Sequence, residues 1–136
     1  MKNYIFLFVS LLLVACSTEP EPIVYGSDAC DFCEMTIVDK EFAAQSVSDK
    51  GKQFKYDAIE CMLNDHLQKD TKMAVKLVAN FHDPGKMLEV DHAKFVQNDS
   101  INSPMGGHLA AFSTKNPQAK KAGIYTWQEL QLKFKE

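Results

Sequence analysis

Cys30, Cys33 and Met35 put two thiols and a thioether into six residues of the stretch ACDFCEM, Ala29 to Met35. Alternate residues of an extended backbone share a face, so Cys33 and Met35 can present sulfur to the same side. Three chemistries use such a pattern: a structural disulfide, a zinc site, or a soft-metal site that employs thioether beside thiolate. A disulfide across so short a loop removes little chain entropy and is easily reduced. Thioether is a poor ligand for zinc, calcium or magnesium and a good one for Cu(I), so a methionine beside the cysteines moves the weight to monovalent copper.

The second cluster is SPMGGH, Ser103 to His108, a loop by its proline and paired glycines. Met105 at its centre has little core to fill there, and His108 adds an imidazole. Cys61 falls in a helical pattern about 200° round from Ile59, off the apolar stripe and among Asp57, Asn64 and Gln68. It joins the site if the Cys30 turn packs against that face. Met62 and His66 lie on the stripe and read as core, while His82 and His92 read as surface residues. The candidate ligand set is therefore Cys30, Cys33, Met35, Cys61, Met105 and His108. A zinc site of Cys30, Cys33, Cys61 and His66 is geometrically awkward, because residues five apart on a helix diverge by about 140°. A thiol-disulfide oxidoreductase using Cys30 and Cys33 is the catalytic alternative. It is disfavoured because Asp28, Asp31 and Glu34 surround the motif and should oppose a thiolate, and because no strand-then-helix setting accompanies it.

These residues need elements to position them. Phe42 to Ser48 and Lys52 to Tyr56 flank Asp49-Lys50-Gly51 as a hairpin. Asp57 is the expected N-cap of a helix over Ala58 to Lys69, with Ile59, Met62, Leu63, His66 and Leu67 as its apolar stripe. Met73 to Phe81 alternates as a half-buried strand, Asp83-Pro84-Gly85 turns, and Leu88 to Val96 makes another strand. His108 to Ser113 and Ile124-Tyr125 are strands, Lys115 to Gly123 is a polar connection, and Thr126 caps a helix over Trp127 to Lys135. The fold class is α+β, and the two places where a strand end runs into a helix, at Tyr56 and at Tyr125, suggest two related strand-strand-helix units.

The amino terminus sets the compartment. A short basic start, an apolar run from Ile5 to Val14 and small Ala15 before Cys16 form an export signal over residues 1–15, too short to span a bilayer. Leu13-Val14-Ala15-Cys16 resembles the bacterial lipobox, which implies lipidation of Cys16, a solvated tether over residues 16–27, and one metal-binding domain over residues 28–136. Ser17 after that cysteine implies the outer membrane, with the domain lipid-anchored in the periplasm. With Cys16 acylated, three cysteines remain, an odd number in an oxidising compartment, so at least one thiol has no partner in the chain. The net charge of −3 supplies no basic field, which excludes nucleic acid as a partner.

Three blocks, CDFCEMTIVDKEFAAQ (Cys30 to Gln45), KQFKYDAIECML (Lys52 to Leu63) and SPMGGHLAAF (Ser103 to Phe112), together resemble the NosL family of copper-binding lipoproteins in order and spacing. The resemblance implies a Cu(I)-binding chaperone, not an enzyme, that delivers copper for maturation of nitrous oxide reductase together with an ABC-type complex. It implies a fold similar to that of organomercurial lyase, and it carries metal roles onto Cys33, Met35 and Met105 with Cys30 beside them. His108 and Cys61 are added from spacing and exposure. The family pattern has glycine where Glu34 stands here.

Overall fold

A computed structural model describes residues 16–115 and 123–136; residues 1–15, expected as an export signal, and most of the polar connection before Gly123 lie outside the described residues. In chain order the elements are β1 (Ala44–Ser48), β2 (Gln53–Tyr56), α1 (Ile59–Gln68), β3 (Met73–Ala79), β4 (Met87–Glu89), a single 3₁₀ turn (Val90–His92), β5 (Ala93–Gln97), β6 (Leu109–Ser113), β7 (Ile124–Tyr125) and α2 (Trp127–Lys133). They form an α+β domain with two antiparallel sheets, ordered β2-β1-β3-β4 and β6-β5-β7. Among the described residues no helix is long and apolar enough to cross a membrane.

The hairpin forms as its turn chemistry dictates, with Ala44 opposite Tyr56 and Val47 opposite Gln53. β3 pairs on the other side of β1, so β1 is covered on both edges and every one of its five residues is buried. The strand expected over Leu88 to Val96 is divided. Its first part, β4, closes the first sheet against β3; the chain then turns through Val90–His92, and β5 begins the second sheet. The apolar phase shifts across that turn, from Leu88 and Val90 to Ala93 and Phe95, a signal that a reading of one continuous strand passes over.

The two sheets and two helices share one core, in which Ile37, Tyr56, Ile59, Met62, Leu63, Val78, Phe95, Leu109, Trp127 and Leu130 are fully or almost fully buried. Each such side chain contributes about 1.5–3 kcal/mol by leaving water. Thr126 caps α2 with a complete capping box, its hydroxyl accepting from the Glu129 N–H while the Glu129 carboxylate accepts from the Thr126 N–H. Asp57 does not cap α1. The N-cap is Ala58, with no side-chain bond, and the Asp57 carboxylate is instead buried with Oδ1 unpartnered. The suspected repeat is confined to the strand-into-helix joints. β2 pairs directly with β1, whereas β6 and β7 flank β5 and do not pair with each other.

The segment expected as a solvated tether is laid along β2. The Gln53 side-chain amide accepts from the Glu21 N–H and donates to the Glu19 carbonyl, Gln45 donates to the Glu21 carbonyl, and Lys55 Nζ donates to the Pro22 carbonyl. Side-chain amides replace the ladder that Pro20 and Pro22, which lack an N–H, could not complete. The start of this segment passes over the hairpin tip so closely that a Cβ on Gly51 would stand 2.7 Å from the Ser17 carbonyl oxygen. Cys16 is exposed.

Candidate metal centre

Residues 26–37 fold into a narrow hairpin. The Gly26 N–H donates to Ile37 O at 2.8 Å, Ile37 N–H to Asp28 O at 2.8 Å, and Cys30 N–H to Met35 O at 2.8 Å. At its tip the Glu34 N–H donates to Cys30 O, which requires Glu34 to adopt φ 65°. That left-handed conformation costs a side-chain-bearing residue about 1–2 kcal/mol and is free for glycine, a physical reason for the glycine of the family pattern at this position. The turn is fastened to β2 by reciprocal bonds, Asp31 N–H to Lys55 O at 2.8 Å and Lys55 N–H to Asp31 Oδ2 at 2.7 Å, and by the Lys55–Asp28 ion pair at 2.7 Å.

Since β2 runs straight into α1, fastening the turn to β2 also sets it against the first turn of the helix, where Cys61 sits. The Sγ atoms of Cys30, Cys33 and Cys61 all lie within 4.8 Å of one another. Around one ion at a metal–sulfur distance of about 2.3 Å, three sulfurs stand about 4 Å apart, so a few tenths of an ångström of adjustment would close the trio on a metal. Cys30 and Cys61 are 2% and 1% exposed, and Cys33 is the thiol nearest solvent.

The electrostatics of the trio differ from expectation. Cys30 is held down to about 5 by the Cys61 thiol and by the backbone N–H groups of Cys33, Asp57 and Phe32 aimed at its sulfur, against the opposing effect of burial. The acids around the motif do not prevent this, because Asp28 is neutralised by Lys55 and Asp31 is occupied by the β2 backbone. The Cys61 thiol is pushed up, first by its bond to Cys30 and then by burial, and Cys33 is pushed up by burial. Of the three thiols Cys30 is thus the most acidic, while Cys33 and Cys61 hold their protons more tightly than an ordinary thiol.

Cys61 was expected off the apolar stripe, on a polar face. That face is instead covered, and Glu60, Cys61, Met62 and Leu63 are buried in succession. The cover is the Cys30 turn on one side and the Ser103–His108 loop on the other. Glu60 was not foreseen in the sequence. Its Oε1 accepts from Ser103 Oγ at 2.5 Å and from the Gly107 N–H at 3.0 Å, which seats the Met105 loop on the helix residue next to Cys61. The available signal was the apolar character of Ile59, Cys61, Met62 and Leu63, which together leave the first turn of the helix no solvent side.

Met35 and Met105 are 48% and 43% exposed on the two loops that flank the trio, a position that core filling does not explain. His108 does not join the trio. Its Nδ1 bonds to the Ile101 carbonyl at 2.8 Å, leaving Nε2 as the free nitrogen. Met62 is core, as its place on the stripe predicts, and His66 on the same stripe is half-buried at the edge of the core. The His66 Nε2 meets Ser46 Oγ at 3.0 Å and its ring packs on Tyr56 and Trp127.

Fold and site together define a small α+β protein that gathers three thiols at the first turn of α1 and carries exposed methionines on the two loops packed there. The NosL family model matches residues 23–122, and the chain belongs to the NosL family. Among solved structures, the copper chaperone NosL from Shewanella denitrificans aligns with a TM-score of 0.69 and 17% identity, over 83% of this chain and 96% of that one, a likeness of fold. No curated protein matches the chain.

Proposed function

We propose that this protein is a Cu(I)-binding chaperone that carries copper in the periplasm for maturation of the copper centres of nitrous oxide reductase, handing it to that enzyme's ABC-type assembly complex. The observation that carries the reading is the convergence of three thiol sulfurs within 4.8 Å, on elements fixed to one another by β2. Membership of the NosL family and a fold shared with a copper chaperone support it. Thiolates alone suit Cu(I) and zinc alike; the exposed thioethers of Met35 and Met105 favour Cu(I). Transfer is ligand exchange without change of oxidation state: a donor from the receiving protein enters at the side of half-buried Cys33 and exposed Met35 while Cys30 and Cys61 still hold the ion. The protein acts as a carrier and performs no catalysis.

Cys16, exposed at the hairpin tip, is the acylated residue of this reading, and the lipid keeps the domain at the outer membrane. The kinship of the fold with organomercurial lyase belongs to the same proposal. An anaerobic titration of the reduced domain with Cu(I) against a chromogenic competitor, with zinc in parallel, tests the metal. Tight one-to-one Cu(I) binding with weak zinc is the expected result. Tight zinc binding, with unfolding on chelation, would make the trio a structural zinc clamp and end the copper reading.

A further inference from the structure

The two loops that flank the thiols are held by different means. The Cys30 turn is bound to β2 by a backbone bond together with the Asp31 carboxylate and the Asp28–Lys55 ion pair, whereas the Ser103–His108 loop reaches the helix through the single carboxylate of Glu60. Glu60 is 3% exposed, and its Oε1 is shared by the Ser103 hydroxyl and the Gly107 N–H. The Ser103 hydroxyl in turn accepts from the His108 N–H at 2.9 Å, so both ends of the loop converge on one carboxylate oxygen. The approach is close enough that a Cβ on Gly107 would meet the Glu60 Cδ at 2.7 Å and its Cβ and Cγ at 2.9 Å. No positive φ is needed at Gly107, so the glycine there answers to space and not to backbone conformation. A buried carboxylate spent on a loop, with its second oxygen Oε2 left without a partner, is a costly device for closing a surface turn. It makes sense if the loop must hold its place to an ångström.

We propose that Glu60 is the positioning residue for Met105: through Ser103 and Gly107 it latches the loop beside Cys61, and so adds the thioether to the thiol trio and sets the preference for Cu(I) over zinc. The assignment rests on the copper-binding reading above. The thiols would still hold a soft metal without the latch, but Met105 would no longer be presented to it. Groups that orient a metal ligand are worth about 10–100-fold in affinity when removed.

The test is a double-mutant cycle on the full chain, with Cu(I) and zinc affinities read by competition and folding read by circular dichroism. Met105→Leu and Glu60→Ala should each weaken Cu(I) binding about 10–100-fold. The two together should be no worse than either alone, and zinc affinity, which the thioether does not serve, should stay put. Glu60→Gln keeps an acceptor oxygen for Ser103 and Gly107 and should restore most of the Cu(I) affinity. Gly107→Ala, which leaves Glu60 intact and wedges the loop away, should reproduce the Glu60→Ala loss and keeps the test alive if Glu60→Ala fails to fold. Additive losses, or a parallel fall in zinc affinity, would overturn the latch. So would a Met105→Leu chain that binds Cu(I) as tightly as wild type, an outcome that leaves the thiol reading standing; loss of that reading would instead appear as Cu(I) binding indifferent to replacement of the cysteines.

Discussion

Helix α1 carries two chemically capable side chains that face the interior, the buried Cys61 and the half-buried His66, and their surroundings are built on opposite rules. Around His66 the polar groups are matched within the protein: Ser46 Oγ meets His66 Nε2, the Tyr56 hydroxyl donates to Asp65 at 2.7 Å, and Lys69 pairs with Asp65 at 2.8 Å. Around Cys61 the matching is incomplete. Three thiols crowd together, Asp57 Oδ1 and Glu60 Oε2 have no partner, and the nearby turn holds Glu34 in a strained conformation. A completed network rigidifies a core, while an incomplete one held in place by its surroundings is poised to accept something from outside. Trp127 Nε1 is the one unpartnered buried atom at the His66 end among the described residues.

The sharpest way to break this contrast is to mutate both ends. Cys61→Ser should cost Cu(I) affinity at least about 100-fold, since it removes a ligand outright where even supporting groups are worth 10–100-fold. His66→Phe should leave Cu(I) stoichiometry and affinity unchanged, yet lower the unfolding free energy by about 1–3 kcal/mol, because the buried Ser46 hydroxyl loses its partner. Competition titrations and urea melts on both variants decide the matter. Copper binding that survives Cys61→Ser, or that falls with His66→Phe, would erase the distinction.

Acidity probes the same pair with smaller effects. Cys33 and Cys61 are raised above the ordinary thiol range, so binding a metal there must displace protons, and Cu(I) affinity should climb from pH 6 to 8 by up to about tenfold per unit for each proton released. Cys30, already down at about 5, adds no slope in that window. His66 works farther along the same helix and on stability. Burial lowers it to about 4 from the ordinary 6.5, so between those values the unfolded chain binds a proton that the folded chain refuses. Stability is therefore complete above about pH 6.5 and declines as pH falls toward 4. Thermal melts of wild type and His66→Phe across that range should differ in slope, with the variant the flatter; equal slopes would remove His66 as the cause.

Much of this arrangement could be read in advance, and the exceptions share a cause. The hairpin around Lys50, the stripe of Met62 and His66, and the Thr126 cap are local matters of turn chemistry, period and capping, and each is found where its residues placed it. Cys30 and Cys33 announced themselves by spacing. What spacing could not convey is which face of a helix the rest of the chain covers. Spacing places Cys61 on a polar face and marks nothing at Glu60, yet the Cys30 turn and the Ser103 loop, distant in sequence, close over both. Asp57 looked like a cap by residue type, but the backbone enters α1 one residue later, at Ala58. The lowered Cys30 is likewise a product of the Cys61 thiol and of N–H groups converging from three positions, which a count of neighbouring acids does not register.

The two helices themselves offer the finest test of the contrast. α2 begins with a full capping box, whereas α1 begins at Ala58 with no side-chain cap, and the backbone N–H of Asp57, just ahead of it, faces the Cys30 sulfur. At α2 a side chain satisfies the helix end; at α1 none does, and the Asp57 N–H just ahead of it faces a sulfur whose lone pairs a bound metal would also claim. Thr126→Ala should therefore lower stability by about 0.5–2 kcal/mol, as cap removals do, and leave Cu(I) affinity alone, because α2 reaches α1 through Trp127 and the His66 ring, whose centroids stand 6.3 Å apart, on another side of the helix from Cys61. A loss of copper affinity in Thr126→Ala, read in the same titration as the cysteine variants, would mean that strain at α2 travels along α1 to the thiols, and that the two ends of the helix form a single cooperative unit.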